Sequence, residues 1–303
     1  MRTVYLGTSE FAGAVLERLT RTPHLPQLVV TRPDRPRGRG RKLASPPIAG
    51  VAAALHLETY QPENVNSEEA RERIAAAEPD AVLICAFGAL IKEPLLSEHE
   101  LLNVHPSLLP RWRGAAPIER AIDAGDEETG VTIMRPTAEL DEGPICLQRS
   151  EPIRADDDYG HLAARLATLG GELLVESLDT QPPFREQPQE GATYAEKIDR
   201  ADRQLDPGLP ASDLERRVRA LNPHVGAWLE LEGGERLGVR RAALAIDGQG
   251  PAPGGLEVAD GHLLYGSARG ALELLEVQPA GKRPMDAADW LRGRGAGVVT
   301  RSG

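Results

Sequence analysis

The sequence predicts an α/β protein in two parts: an open, mostly parallel β-sheet covered by helices on both faces, then a small β-barrel of the five-stranded OB type. Three observations predict it. Through the first half, short β-rich runs alternate with helical patterns. Between 180 and 210 the pattern breaks into Pro, Gln and Asp, and beyond it come short strand-like runs separated by Gly. A chain of 303 residues is also longer than one core usually grows, so two domains are expected.

The elements follow in order. Thr3 to Leu6 reads as the first strand, stopped by Gly7, and Phe11 to Leu19 as its helix. Gln27 to Thr31 is the second strand. Ile48 to Leu55 and Glu68 to Ala77 carry helical patterns, while Ala81 to Ala86 is an unbroken apolar run of strand length, as expected of a strand buried on both faces. Leu101 to His105 is another strand, with polar residues at its exit. Ala115 to Ala124 continues as helix, Val131 to Arg135 and Ile145 to Ile153 as strands, and Tyr159 to Leu178 as a long amphipathic helix. After a short helix at Asp213 to Ala220, five runs read as strands: 227–231, 237–244, 255–258, 262–265 and 271–277. These readings divide the chain into a domain over 1–185, an extended linker over 186–206 and a β-rich domain over 207–303.

Composition narrows the function classes. The chain is 41% hydrophobic and 27% charged, without an apolar run near the roughly 20 residues that span a bilayer. Its start, MRTVYLGTSEF, has no apolar signal core, so a cytoplasmic protein is expected, with no membrane contact and no obligate protein partner. Cys85 and Cys146 are far apart in apolar stretches and read as buried free thiols. There is no HExxH, CxxC or His pair at ligand spacing, so no metal is expected. A formal net charge of −11 argues against general nucleic-acid binding, which draws on a cationic surface, and confines any RNA contact to a local patch.

The stretch LLNVHPSLLPRWRGAAPIERAI at 101–122 carries the chemistry. Residues two apart in a strand share a face, so Asn103 and His105 project together at the end of a strand where open sheets hold their ligands. Pro106 to Pro110 forces a rigid exit. Acyl transfer to an amine develops negative charge on an oxygen, and Asn103 with a protonated His105 would supply the prearranged donors for it. A lone Asn or His is ordinarily structural; their joint position at a strand exit favours function. In TAELDEGPI at 137–145, Asp141 is ordinarily a turn former. If it folds back beside His105, it would favour the imidazolium and relay the proton lost by an attacking amine.

Asn103-Val-His105-Pro-Ser107-Leu-Leu-Pro110, with Leu140-Asp141-Glu-Gly143-Pro, resembles the signature of the folate-dependent formyltransferase family. The resemblance implies a Rossmann-like formyltransferase domain and the catalytic set Asn103, His105 and Asp141. It implies 10-formyltetrahydrofolate as formyl donor, in a pocket lined by Phe87, Gly88, Ala89, Leu90, Ser107, Leu108, Leu109 and Pro110. GTSEFAG at 7–13, TRPDRPRGRGRKL at 31–43, ICAFGALI at 84–91 and RALNPHVGAW at 219–228 are similar to the branch acting on methionyl initiator tRNA, with a C-terminal domain that assists tRNA binding. His224-Val225 departs from the Trp-Pro expected there.

Between Arg32 and Lys42 six cations face one acid, spaced by Pro and Gly that exclude a helix. A charge run is usually solvated surface, but this one leaves the second strand at the ligand edge and reads as a long loop without structure of its own. The resemblance implies that Arg35, Arg37, Arg39, Arg41 and Lys42 meet the tRNA acceptor end. Two alternatives stand: formyl transfer to an amino-sugar nucleotide, or to water, with the same three residues, and a non-catalytic RNA-binding protein, which would have no reason to gather them.

Overall fold

The computed structural model describes residues 1–37, 40–246 and 250–294, without the side chains of Arg37, Glu232 and Arg294. The chain divides into two compact units. One comprises Met1–Pro117, Glu128–Pro152 and Ala163–Ala195; the other comprises Ile118–Glu127, Ile153–Leu162 and the chain from Glu196 on.

The chain opens with β1 (Thr3–Gly7), α1 (Glu10–Leu19), β2 (Leu28–Val30), β3 (Arg35–Arg37), β4 (Lys42–Ala44) and α2 (Pro47–Ala54). It continues through β5 (Glu58–Tyr60), α3 (Glu68–Ala75), β6 (Ala81–Cys85), α4 (Leu95–Glu98), β7 (Leu101–His105) and β8 (Arg113–Gly114). Then come α5 (Pro117–Ala124), β9 (Glu128–Met134), β10 (Ile145–Pro152), α6 (Tyr159–Thr180) and β11 (Tyr194–Ala195).

Seven of these strands form one sheet in the order β10-β9-β7-β6-β1-β2-β5. Pairings from β7 through β5 are parallel, and β9 and β10 run antiparallel at the far edge. The central strands read TVYLG and AVLIC with every residue buried, because a parallel strand between helices has no solvent face. Ser9 caps α1 by accepting from the Ala12 amide at 3.2 Å, and Ser67 caps α3 in the same way at 3.3 Å from Ala70. Both caps fix where helices leave the sheet.

Two expectations change. The Arg-rich segment forms a two-stranded hairpin, with Arg35 paired to Ala44 and Arg37 to Lys42, in place of a structureless loop. Pro36 is tolerated because its fixed φ suits an extended edge strand that needs few ladder bonds, and Gly40 falls in a turn. The 186–206 stretch, read as an extended linker, is bonded along its length. In the first unit Gln187 is buried and β11 pairs with β8; in the second, Leu205 joins the core. The Gln187 amide, the main-chain pairing of β11 and the buried Ala195 and Leu205 tie it down despite its linker-like composition. Cys85 is buried while Cys146 is half-exposed, and both are free. Burial pushes the Cys85 thiol up to about 12 and the Cys146 thiol up to about 11.

The second unit holds α7 (Ala211–Leu221), β12 (Ala227–Glu230), β13 (Arg236–Leu244), β14 (Leu256–Ala259), β15 (His262–Gly266), β16 (Ala271–Pro279), β17 (Met285–Asp286) and α8 (Ala287–Arg294). Its strands are antiparallel in the order β12-β13-β16-β15-β14, with β17 on β16. Their inward apolar residues, among them Leu229, Val239, Leu263, Leu272 and Val277, pack with Leu214 and Val218 of α7 and Trp290 of α8. Within this unit His224 stacks on Tyr159 with ring centroids 3.6 Å apart, and its Nε2 lies 3.0 Å from Glu119 Oε1. Among the described residues no helix is long and apolar enough to cross a membrane.

Candidate active site

Strand β7 lies between β6 and β9, and its carboxyl end carries Asn103 and His105. Asn103 pairs in register with Ile84 and Met134, and His105 with Thr132. The Asn103 amide nitrogen lies 3.7 Å from the Met134 sulfur, a weak acceptor. The amide is therefore readily given up to a stronger acceptor.

His105 is 4% exposed. Its Nε2 sits 2.8 Å from the Trp112 carbonyl oxygen. A carbonyl only accepts, so Nε2 carries a hydrogen. Nδ1 faces Asp141 Oδ2 at 3.6 Å, beyond hydrogen-bond length. The carboxylate and the second ring nitrogen therefore stand side by side, each with capacity left for substrate. Asp141 Oδ2 also accepts from the Gly114 amide at 2.9 Å. Gly114 has φ +117, and a Cβ there would come within 2.7 Å of the Ala195 carbonyl oxygen, so only glycine lets β8 approach β11 this closely. Asp141 itself holds φ +53, in the left-handed region that a short polar side chain tolerates best.

The exit from β7 is braced from β9 and β10. The Thr132 hydroxyl donates to the Ser107 carbonyl at 2.6 Å and accepts from the Leu109 amide at 3.2 Å. Gln148 Nε2 donates to the Leu109 carbonyl at 2.7 Å. Ser107 is fully buried and its hydroxyl donates to the Arg111 carbonyl at 2.6 Å. Of the residues expected in the folate pocket, Phe87, Ser107 and Leu109 thus face the interior. Gly88 and Leu90 are exposed, and Ala89, Leu108 and Pro110 are half-exposed. The most accessible members of the set are Gly88 and Leu90, the latter 53% exposed, while the Phe87 carbonyl accepts from the Thr8 hydroxyl at 2.6 Å and the Leu90 carbonyl from the Asn66 amide at 2.9 Å.

Sequence reading places Asn103, His105 and Asp141, and the fold brings His105 and Asp141 together. It misses the Trp112 carbonyl and the Gly114 amide, because a backbone atom acting at a site leaves no mark in residue identity. It also misses Arg113, fully buried, and Gln187. Of the cations expected to meet tRNA, Arg35 pairs with Glu63 at 2.6 Å, and Arg41 and Lys42 are exposed. Arg37 is placed in β3 by its backbone alone, and Arg39 lies outside the described residues.

Comparison with known proteins gives two family profiles. Residues 1–178 match "Formyl transferase", and residues 197–295 match "Formyl transferase, C-terminal domain". A methionyl-tRNA formyltransferase from Methylococcus capsulatus is 44% identical over 297 residues, covering 96% of each chain. Among solved structures, a methionyl-tRNA formyltransferase from Clostridium thermocellum superposes with a TM-score of 0.60 at 14% identity, over 81% of this chain and 94% of that one. HypX from Aquifex aeolicus in complex with tetrahydrofolic acid gives 0.67 at 17% identity, over 96% of this chain and 47% of the larger HypX chain.

Proposed function

This chain belongs to the formyl transferase family, and on that premise we propose that it transfers the formyl group of 10-formyltetrahydrofolate to the free amino group of methionyl initiator tRNA, giving N-formylmethionyl-tRNA. The observation that carries this reading is the His105–Asp141 pair at the end of β7, in a chain matched through both units by a methionyl-tRNA formyltransferase.

The α-amino group of an aminoacyl ester titrates near neutrality, so no strong base is needed to expose the nucleophile. The amine nitrogen bonds to the formyl carbon, the bond from that carbon to N10 of the folate breaks, and the proton lost by the amine ends on N10. Asn103 donates from its amide to the formyl oxygen as negative charge develops there. His105 contributes through Nδ1, since Nε2 is committed to Trp112. Asp141 accepts the proton beside Nδ1, its other side steadied by the Gly114 amide. The segment 87–90 and the braced turn at 107–110 hold the folate. The match to the formyl transferase profile, and a protein of similar fold solved in complex with tetrahydrofolic acid, support the donor.

Arg35, Arg37, Arg41 and Lys42 of the β3–β4 hairpin, with Arg39 between them in sequence, meet the tRNA acceptor end, and the β-rich unit assists tRNA binding. In this reading the catalytic unit runs past the expected boundary at 185 as far as Ala195, the β-rich domain follows, and the enzyme works in the cytoplasm, where charged tRNA is made. The test offers formyl-folate to the purified protein with methionyl-tRNA, uncharged tRNA and an amino-sugar nucleotide in parallel. Formylation of methionyl-tRNA alone is expected; transfer to the sugar alone would replace this reading with the sugar enzyme.

A further inference from the structure

Gln187 lies in the short stretch that neither family profile covers, and its side chain is turned inward to 8% exposure. Its Nε2 donates to the Asp141 carbonyl at 2.8 Å and to the Gly143 carbonyl at 2.7 Å. Its Oε1 accepts from Arg113 Nε at 3.1 Å and from Arg113 Nη2 at 3.0 Å. Every hydrogen-bonding site of the amide is thus used, and its orientation is fixed: arginine only donates and carbonyls only accept, so the reversed amide would break all four bonds. The two carbonyls flank Glu142, whose Oε1 lies 3.2 Å from Arg113 Nη1 and accepts from the Tyr194 hydroxyl at 2.9 Å. On its other side the turn is closed by Arg135, just past β9, because a Cβ on Gly143 would come within 1.9 Å of the Arg135 carbonyl oxygen.

The same stretch reaches the other partner of His105. Thr193 Oγ1 accepts from the Trp112 amide at 2.9 Å, and the Thr193 carbonyl accepts from the Arg113 amide at 2.9 Å. The carbonyl facing His105 Nε2 and the carboxylate facing Nδ1 are therefore both tied to residues 187–195.

We propose that Gln187, backed by Arg113, is a positioning residue of the formyl transfer: it clamps the Asp141–Gly143 turn so that the Asp141 carboxylate meets Nδ1 of His105. The proposal rests on the function read above. The clamp acts on geometry at the reacting centre and not on the binding of tRNA or folate, so it controls turnover more than affinity.

The variants that decide it are Gln187→Ala and Gln187→Glu. Glutamate keeps the shape and the acceptor facing Arg113, but it sets an ionised oxygen against two carbonyls where two N–H groups stood. Steady-state formylation of methionyl-tRNA is expected to show kcat lowered about 10- to 100-fold in both variants, with KM for tRNA and for formyl-folate within about twofold of wild type. Thermal unfolding should stay above the assay temperature. Near wild-type kcat in Gln187→Glu would overturn the proposal, since Gln187 would then serve only to cover the Arg113 charge. A kcat loss accompanied by unfolding at the assay temperature would overturn it too, by making the residue structural. Wild-type protein inactive on methionyl-tRNA would instead count against the function, and the variant-to-wild-type ratio would then be read on whichever amine is formylated.

Discussion

The Asp141 turn and the Arg35–Ala44 hairpin are both polar segments rich in Gly and Pro, yet they are built in opposite ways. The turn is held by buried and half-buried bonds from Gly114 and Gln187, and its neighbour Arg113 has no exposed surface. The hairpin is held by a short ladder of its own and a surface pair from Arg35 to Glu63, and it leaves Leu43 72% exposed. Exposed pairs of that kind contribute about 0–1 kcal/mol, so little beyond its own ladder is seen to hold it. Under the proposed function the contrast separates two tasks: proton transfer needs atoms fixed to fractions of an ångström, whereas holding a large polyanion needs charge that can follow it.

The contrast breaks most severely if the fixed region is not where the chemistry occurs. His105→Ala and Asn103→Ala are each expected to lower kcat about 100-fold or more, the scale of a missing oxyanion donor, with folding intact by circular dichroism. Turnover near wild type in either would remove it from the site. Asp141→Asn keeps the side chain's shape and should cost a similar factor in kcat while formyl-folate still binds in a titration; failure to bind would make Asp141 a pocket residue.

The hairpin should show the reverse pattern. Replacing Arg41 and Lys42 by Ala should raise KM for methionyl-tRNA with kcat nearly unchanged. It should also flatten the dependence of log affinity on log salt by about 0.7–0.9 for each phosphate no longer neutralised. Transfer to a small amine should not change, and an equal fall there would show that the hairpin shapes the active site. The smallest effect concerns the sheet beneath the site. With the thiols held near 12 for Cys85 and 11 for Cys146, both stay protonated at neutral pH, and iodoacetamide should leave the native protein unmodified by mass spectrometry for hours. Rapid labelling of Cys85 would mean that the sheet opens.

The sheet was legible in the sequence because its signals are local. TVYLG and AVLIC are apolar throughout since every face of those strands is covered, and NVH followed by PSLLP marks a strand with a polar end and a stiff exit. Asp141 was legible as a candidate because a carboxylate in a Gly/Pro turn is visible, although its approach to His105 depends on β9 returning antiparallel beside β7. The hairpin was not legible: three-residue strands containing Pro are too short to set up an alternating pattern. Nor was Gln187. It lies 46 positions from Asp141 in a run of Pro, Gln and Glu, and only the folded chain turns its amide inward. The acceptor on His105 Nε2 and the donor to Asp141 are backbone atoms, on which the sequence is silent.

The pairing of β11 with β8 bears on how this protein can be cut. A fragment ending at residue 178, where the first family profile stops, would contain Asn103, His105 and Asp141 and look complete by its residue inventory. It would lack Gln187, Thr193 and Ala195, leaving three amides of the Arg113–Ala116 run without acceptors and the Asp141 turn without its brace. A surrogate for screening inhibitors, or a donor half for a chimaera, therefore needs its boundary beyond Ala195. A shorter piece would report on a site whose parts are present but unaligned.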